Sequence, residues 1–205
     1  PHGGKNTNRI ILHLDVSEGT QYRVGSLQIQ GNELFSTNAI LPSLRSKDGE
    51  KVKRGIRLKE GAVFAPKDLE KDVEALRDFY GEQGYIDAQV VPQKSANIEK
   101  GTMDIVQKIN EGDKSYVEKI EIRGNTKTRD KVIRRELAIT PGETFDMARV
   151  KASKSILEQT RFFEKVDTTT EETDIPNRKT LVIGVEEANT GNIAVGAGFS
   201  SVDSV

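Results

Sequence analysis

The sequence predicts an α+β protein made of two tandem copies of a small two-layer unit, each a three-stranded mixed sheet with two helices on one face. The first observation is a repeat, in which a strand pattern ends in Gly-Asn at residues 31–32 and again at 124–125. The second is a Gly-x-x-Phe element in each copy, at residues 61–64 and 142–145, followed by a helical pattern. The third is the shared order of strand, helix, helix, strand, strand, which is typical of a two-layer fold.

Composition excludes several classes of function. Lysine and arginine total 31 against 32 aspartate and glutamate among 205 residues. The resulting net charge of −1 creates no overall field that would attract nucleic acid or an anionic membrane. The chain contains no cysteine and only two histidines, which excludes thiolate metal sites and cysteine nucleophiles. Most enzyme functions are therefore disfavoured, and we expect no metal site and no nucleic-acid partner. The start at Pro1, without a signal segment, indicates a fragment of a larger protein.

Each unit begins with a half-buried strand. Leu27 and Ile29 alternate with polar residues, and Ile120 and Ile122 do the same in the second unit. This period of two predicts a strand with one packed face and one solvated face. The Gly-Asn pair that ends each strand favours a turn, because both residues tolerate positive φ.

Two helices follow the Gly-Asn turn in each unit. N-cap residues predict first helices that begin near Ser36 or Thr37 and near Thr128. The second helices are predicted to begin near Pro66 and after Asp146. Apolar residues at helical spacing support these helices: Leu69, Val73, Leu76 and Tyr80, then Val132, Ile133 and Leu137, then Met147, Val150 and Leu157.

A second strand follows the helices. Ile86, Ala88 and Val90 alternate with polar residues, which predicts a strand with one packed face. Pro92 cannot donate a ladder hydrogen bond, so this strand is predicted to lie at the edge of its sheet. In the second unit, the acidic and threonine-rich stretch 167–174 lacks the ligand spacing of a calcium loop, and we interpret it as a hairpin turn.

A third motif closes each unit and occurs three times, with copies that start at Ile10, Met103 and Leu181. Apolar residues on both faces of the last copy predict a central strand. His13 lies in the first copy, and we expect it to be structural. Three closing strands indicate two whole units and the tail of an earlier one. We predict four segments: 1–19, 20–112, 113–188 and 189–205, the first closing a preceding domain and the last forming a further strand.

An ordered set of motifs carries a resemblance to a known family. The second unit contains, in sequence, Gly124-Asn125, Arg134-Arg135-Glu136, Pro141-Gly142, Phe162-Phe163-Glu164 and Val166-Asp167-Thr168. Residues 193–201 then alternate apolar with small side chains, which suits a barrel strand. The set resembles the last two polypeptide-transport-associated (POTRA) domains, and the start of the barrel, of BamA-type outer-membrane β-barrel assembly factors.

The resemblance implies a non-catalytic platform without a cofactor, at the periplasmic face of the Gram-negative outer membrane. The chain would reach that membrane through the missing barrel. Its implied partners are unfolded outer-membrane proteins, which add to an exposed strand edge by β-augmentation, and accessory assembly lipoproteins. In the family the strand after the two helices lies at the sheet edge, which maps the client edge onto Tyr85, Ile86, Asp87, Ala88, Gln89, Val90 and Val91, and onto Phe163, Glu164, Lys165, Val166, Asp167 and Thr168.

The resemblance also implies a docking segment for an accessory lipoprotein at Arg134, Arg135 and Glu136. The plainer interpretation of these residues is a solvated helix end, where arginine favours the helix dipole. Likewise, the two edges are either client sites or simply short and protected edges. Three other functions stay open: a two-partner secretion transporter, an organellar import channel of the same superfamily, and a hydrolytic enzyme.

Overall fold

A computed structural model describes residues 19–43 and 55–188 as two consecutive α+β units. The first contains β1 (Arg23–Gln30), α1 (Thr37–Ser43), α2 (Pro66–Glu82), β2 (Gln89–Asn97) and β3 (Thr102–Asn110). The second contains β4 (Tyr116–Arg123), α3 (Asp130–Arg134), α4 (Met147–Gln159), β5 (Phe163–Glu172) and β6 (Arg178–Glu187). The predicted α+β class and element order are confirmed. His13 and the strands predicted around it and within 189–205 lie outside the described residues.

The two sheets have the same topology. Their strand orders are β1-β3-β2 and β4-β6-β5. The first strand of each unit runs parallel to the closing strand, while β2 and β5 run antiparallel to it. Both sheets are therefore mixed, with β3 and β6 in the centre and β2 and β5 at an edge, as the sequence predicted.

The second unit has one continuous apolar core between its sheet and its helices. The predicted helical residues Val150 and Leu157 pack there against Ile183 of β6. The helix that carries them begins where predicted, because the Asp146 carboxylate accepts hydrogen bonds from the backbone N–H of Ala148 at 2.8 Å and of Arg149 at 3.2 Å. Burial of each large apolar side chain contributes about 1.5–3 kcal/mol.

In the first unit, Gln107 divides the core. It lies on β3 between Ile105 and Ile109, which belong to two separate apolar clusters, and it is completely buried. Neither polar atom of its side chain has a hydrogen-bond partner in the described structure. Gln107 pairs with Ile29 and Pro92 across the ladders. At the matching place in the second unit lies an isoleucine, which leaves that core continuous.

The Gly-Asn turns press the first strand of each unit against the closing strand. Gly31 and Gly124 have φ of +80° and +91°, and a Cβ at either would collide with the carbonyl oxygen of Ile109 or Val185. Only glycine fits both the dihedral and the close approach. The asparagine that follows each glycine donates a side-chain hydrogen bond to the carbonyl three residues later, at 2.8 Å in the first unit and 3.0 Å in the second.

An acidic residue at the end of each closing strand holds the loop after the Gly-Asn turn. The Glu111 carboxylate accepts from the backbone N–H of Leu34 at 3.0 Å and from the Tyr80 hydroxyl at 2.8 Å. The Glu187 carboxylate accepts from the backbone N–H of Thr128 at 2.6 Å and of Lys127 at 3.0 Å. These bonds explain why the closing motif ends in glutamate in both described units.

The backbone N–H of Thr128 is the main cause of a low pKa at Glu187, about 2 against an ordinary 4.5, and the Thr126 hydroxyl adds to it. In the first unit, burial and the bond to Glu111 raise the pKa of Tyr80, so this phenol stays protonated and donates. The Glu187 carboxylate is therefore ionised at neutral pH, and in the first unit the Tyr80 hydroxyl donates to Glu111.

Three local predictions are wrong. Residues 85–88 precede β2 and form a turn, because the N–H of Tyr85 donates to the carbonyl of Tyr80 and the N–H of Ala88 to that of Tyr85. Helix α3 begins at Asp130 and ends before Leu137, since the loop after Gly-Asn is fastened to Glu187. The stretch 167–174 is mainly strand, and β5 continues to Glu172 because its residues pair with β6.

None of the helices in the described ranges 19–43 and 55–188 has the length and apolar character needed to span a bilayer.

Replacing Gln107, whose buried side-chain amide has no hydrogen-bond partner in the described structure, should stabilise the first unit. We expect Gln107→Met, which keeps the side-chain length, to raise the local free energy of unfolding by about 1–3 kcal/mol, because no buried polar group is then left unpaired. Native-state hydrogen exchange of the β3 amides measures this. Ile183→Gln is the matched control and should lower protection in β6. Unchanged or weaker protection of β3 in Gln107→Met would contradict the account.

The Glu187 carboxylate should make the stability of the second unit pH-dependent. Its pKa is about 2 when folded and near 4.5 when unfolded, so its contribution is complete above about pH 4.5 and is lost as pH falls toward 2. We expect Glu187→Gln to reduce the loss of stability between pH 7 and pH 3, measured by urea denaturation. Glu186→Gln, on the adjacent residue, is the control. An unchanged pH dependence in Glu187→Gln would contradict this role.

Candidate functional site

Each sheet has one edge that the chain itself covers in part, at the start of the first strand. In the first unit the Gly-x-x-Phe element lies along the start of β1. The backbone N–H of Val24 donates to the carbonyl of Ala62, and the carbonyl of Val24 accepts from the N–H of Gly61, both at 2.8 Å. In the second unit Val117 of β4 forms the same two bonds with residues 142–143, at 2.7 and 2.9 Å. This repeated motif, seen in the sequence as a helix entry, therefore also covers a sheet edge.

The opposite edges, β2 and β5, are open. Among residues 19–43 and 55–188, no backbone group pairs with the outer side of either strand. An open edge presents unpaired N–H and C=O groups, to which an extended chain can add as a further strand. These two strands form the candidate site, and the predicted edge residues from Gln89 to Val91 and from Phe163 to Thr168 lie in them.

The direction of the backbone groups along β5 follows from its neighbour β6. The backbone N–H of Ala188, just after β6, donates to the carbonyl of Phe162 at 2.9 Å, and the carbonyl of Arg178 accepts from the Thr173 hydroxyl at 2.7 Å. The backbone N–H and C=O groups of the even-numbered residues of β6 therefore point toward β5. The partners of these residues on β5 are odd-numbered, as in Asp167 with Gly184. The direction of the backbone N–H and C=O groups alternates along a strand. The residues of β5 whose backbone groups point away from β6, here called the outward row, are therefore Val166, Thr168, Thr170 and Glu172.

Strand β2 has an equivalent outward row, but the row is interrupted. Pro92 pairs with Gln107 as Thr168 pairs with Ile183, so proline occupies the place of an outward-facing threonine. Proline has no N–H to offer. The carbonyl of Val90, two residues earlier in the same row, accepts a 3.4 Å hydrogen bond from the Arg77 guanidinium.

Ion pairs order the charged side chains of β5. Lys165 lies 2.7 Å from Asp167, and Arg123 lies 2.6 Å from Glu171. These cations hydrogen-bond their partners and lower the pKa of both carboxyls, which stay ionised at neutral pH. Between the two pairs, the strand surface is the uncharged run 168–170.

The predicted docking residues lie together at the end of α3. Arg134 is engaged within its own unit, since its guanidinium donates to the carbonyl of Ile120 at 3.0 Å and pairs with Asp130 at 3.5 Å. Arg135 has a side chain that is 68% exposed and forms a 2.8 Å ion pair with Glu136. Arg135 is therefore mainly exposed and Glu136 half-buried, whereas Arg134, although also exposed, is bonded within its own unit.

The joint between the units was not predicted from the sequence beyond its short length. The Lys179 ammonium, only 8% exposed, lies 2.7 Å from both Asp87 of the first unit and Glu172 of the second. Ile86 packs against the core of the second unit, and the N–H of Ser115 donates to the carbonyl of Gly84 at 2.9 Å. Asp87 and Ile86, predicted as client-edge residues, are therefore joint residues.

Burial by itself lowers the pKa of Lys179, but hydrogen bonds to Asp87 and Glu172 outweigh it and raise the pKa. The lysine is charged at neutral pH. A salt bridge between residues 92 positions apart has no signal in a single sequence.

In the part of the chain that the structure describes, no three acidic or histidine side chains are grouped as metal ligands. The chemistry that the site offers is backbone hydrogen bonding along two strand edges.

Comparison with known proteins gives a family match. The family model for POTRA domains, described as surface antigen variable number repeat, matches residues 22–112 and 115–188. The outer membrane protein assembly factor BamA of Nitratidesulfovibrio vulgaris is 31% identical over 192 residues, 94% of this chain and 23% of that protein. BamA of Neisseria meningitidis serogroup B is 28% identical over 196 residues, 95% of this chain and 23% of that protein. The chain thus spans about a quarter of the length of these curated relatives.

Solved structures show the same architecture. BamA from Haemophilus ducreyi lacking POTRA domains 1–3 matches with a TM-score of 0.63 and 26% identity, over 83% of this chain and 30% of that chain. POTRA domains 3–5 of Haemophilus influenzae BamA match with a TM-score of 0.61 and 17% identity, over 82% of this chain and 97% of that chain. The second likeness concerns the fold alone. The resemblance predicted from the sequence is confirmed.

Proposed function

The chain belongs to the POTRA family, and from this premise we propose that it is the periplasmic platform of an outer-membrane protein assembly factor. Support comes from relatives that are named assembly factors and from a solved BamA with the same fold. The proposed platform is non-catalytic and lies at the periplasmic face of the Gram-negative outer membrane.

The platform binds unfolded outer-membrane proteins by β-augmentation. The observation that carries this proposal is the pattern of edges: each unit pairs its Gly-x-x-Phe element with the start of its first strand, whereas no backbone group of the described residues pairs with the outer side of β2 or β5. A strand that adds to an open edge bonds mainly to backbone groups, so binding tolerates many client sequences. Such tolerance suits a platform that receives many different barrel proteins.

Accessory lipoproteins dock at the end of α3, on Arg135 and Glu136. An exposed guanidinium next to a carboxylate can form charge-assisted hydrogen bonds with an opposite pair on a partner. Arg134 contributes by holding this helix end against β4 through its bond to the Ile120 carbonyl. The arrangement offers one donor and one acceptor group at a fixed spacing.

Photo-crosslinking tests strand addition. A benzoylphenylalanine is placed at Thr170 of β5 or at Ser95 of β2, and at least one of the two positions should form adducts with an unfolded outer-membrane protein added to the 205-residue chain. The same probe at Tyr116 of β4, where residues 142–145 cover the edge, is the control and should form few. Equal adducts at all three positions, or adducts at Tyr116 alone, would rule out edge addition.

Charge reversal tests the docking segment. We expect Arg135→Glu in the full-length factor to reduce co-purification of accessory lipoproteins from detergent-solubilised membranes about tenfold, because a like charge then faces the partner's carboxylate. Stability should stay nearly unchanged, since the side chain is exposed. Lys67→Glu, an equal charge change on the exposed surface of α2, is the control. Unaltered co-purification with Arg135→Glu would reject this site.

A further inference from the structure

We infer that the two open edges are not equivalent: the client strand adds to β5, and β2 is closed to strand addition by Pro92 and Arg77. This inference rests on the proposed strand addition. It specifies which edge receives the client and what kind of client segment binds there. It makes the second unit the client-receiving unit and the first its support.

The β5 edge offers an unbroken row of backbone groups. Its outward residues, from Val166 to Glu172, each present one N–H and one C=O on the open side. The strand contains no proline, and its middle residues Thr168, Thr169 and Thr170 are β-branched and uncharged. A partner can therefore pair continuously over about seven residues, a typical strand length.

In β2, the row of outward-pointing backbone groups is interrupted near its middle. Pro92 removes the N–H that would stand opposite the centre of an added strand. The Arg77 guanidinium already occupies the Val90 carbonyl. What remains of the row is Lys94 and Ala96, and an exposed lysine is one of the side chains that protect natural edges. Too few consecutive hydrogen bonds are left to hold a strand.

The two edges also differ in charge, which defines the partner further. Strand β5 contains four carboxylates, of which Asp167, Glu171 and Glu172 are paired with cations of this chain, so Glu164 is the carboxylate that remains for a basic partner. Strand β2 contains one lysine and no carboxylate. The segment that fits β5 is extended, alternates in polarity, lacks proline over about seven residues and carries lysine or arginine at a flank.

The experiment is an amide NMR titration of the 205-residue chain with an eight-residue peptide of alternating valine and threonine that ends in two lysines. Wild type should show shifts confined to 163–172. Thr168→Pro should weaken binding at least tenfold, because it places in β5 the proline that β2 already has at the matching position. Thr168→Val, which keeps the N–H, is the matched control and should bind like wild type.

Pro92→Thr is the reciprocal variant, and it does not depend on whether Thr168→Pro folds. It restores the missing N–H, so new shifts should appear at residues 89–97. Unaltered spectra of residues away from the edges verify that each variant is folded.

The outcomes separate the inference from the proposed function. Shifts at β2 as large as those at β5 in wild type, or no gain at β2 in Pro92→Thr, would overturn the choice of edge and leave strand addition standing. Shifts at neither edge at millimolar peptide, together with absent crosslinks at Thr170 and Ser95, would overturn strand addition itself.

Discussion

A carboxylate at the end of the central strand holds each unit together. Glu111 and Glu187 each bind the backbone N–H groups of the loop after the Gly-Asn turn, and the glycine of that turn lies against a carbonyl of the same closing strand. The loop in turn sets where the first helix begins. The contact therefore ties the end of the first strand to the end of the closing strand in each unit.

In the described ranges 19–43 and 55–188, the outer sides of β2 and β5 have no backbone partner, and this is the source of the proposed function. Most proteins protect such edges, since unpaired backbone groups invite aggregation. Here the first unit protects β2 with a proline and an arginine, whereas β5 keeps a full row of outward groups. The Lys179 bridge joins the end of β5 to Asp87 of the first unit, so the open edge is held at a defined place relative to its support.

Sequence patterns predicted the structure correctly where a feature depends on one residue and its immediate neighbours in the chain. Asp146 caps its helix as predicted, and the proline of β2 marks an edge strand, because capping and ladder bonding are decided by the residue type itself. The pattern failed at Ile86, whose apolar side chain suggested a strand but packs on the core of the other unit. It gave no sign that Gln107 is buried without a partner, since burial depends on residues far along the chain.

The sequence by itself determined the repeat, the α+β class, the edge position of β2 and the family, because these follow from residue type and from short-range periodicity. Only the tertiary structure decided which backbone groups face outward, which edge the chain covers and how Lys179 joins the units. The physical reason is that the direction of an N–H along a strand depends on the register with its neighbour. The burial of a charge likewise depends on partners distant in sequence.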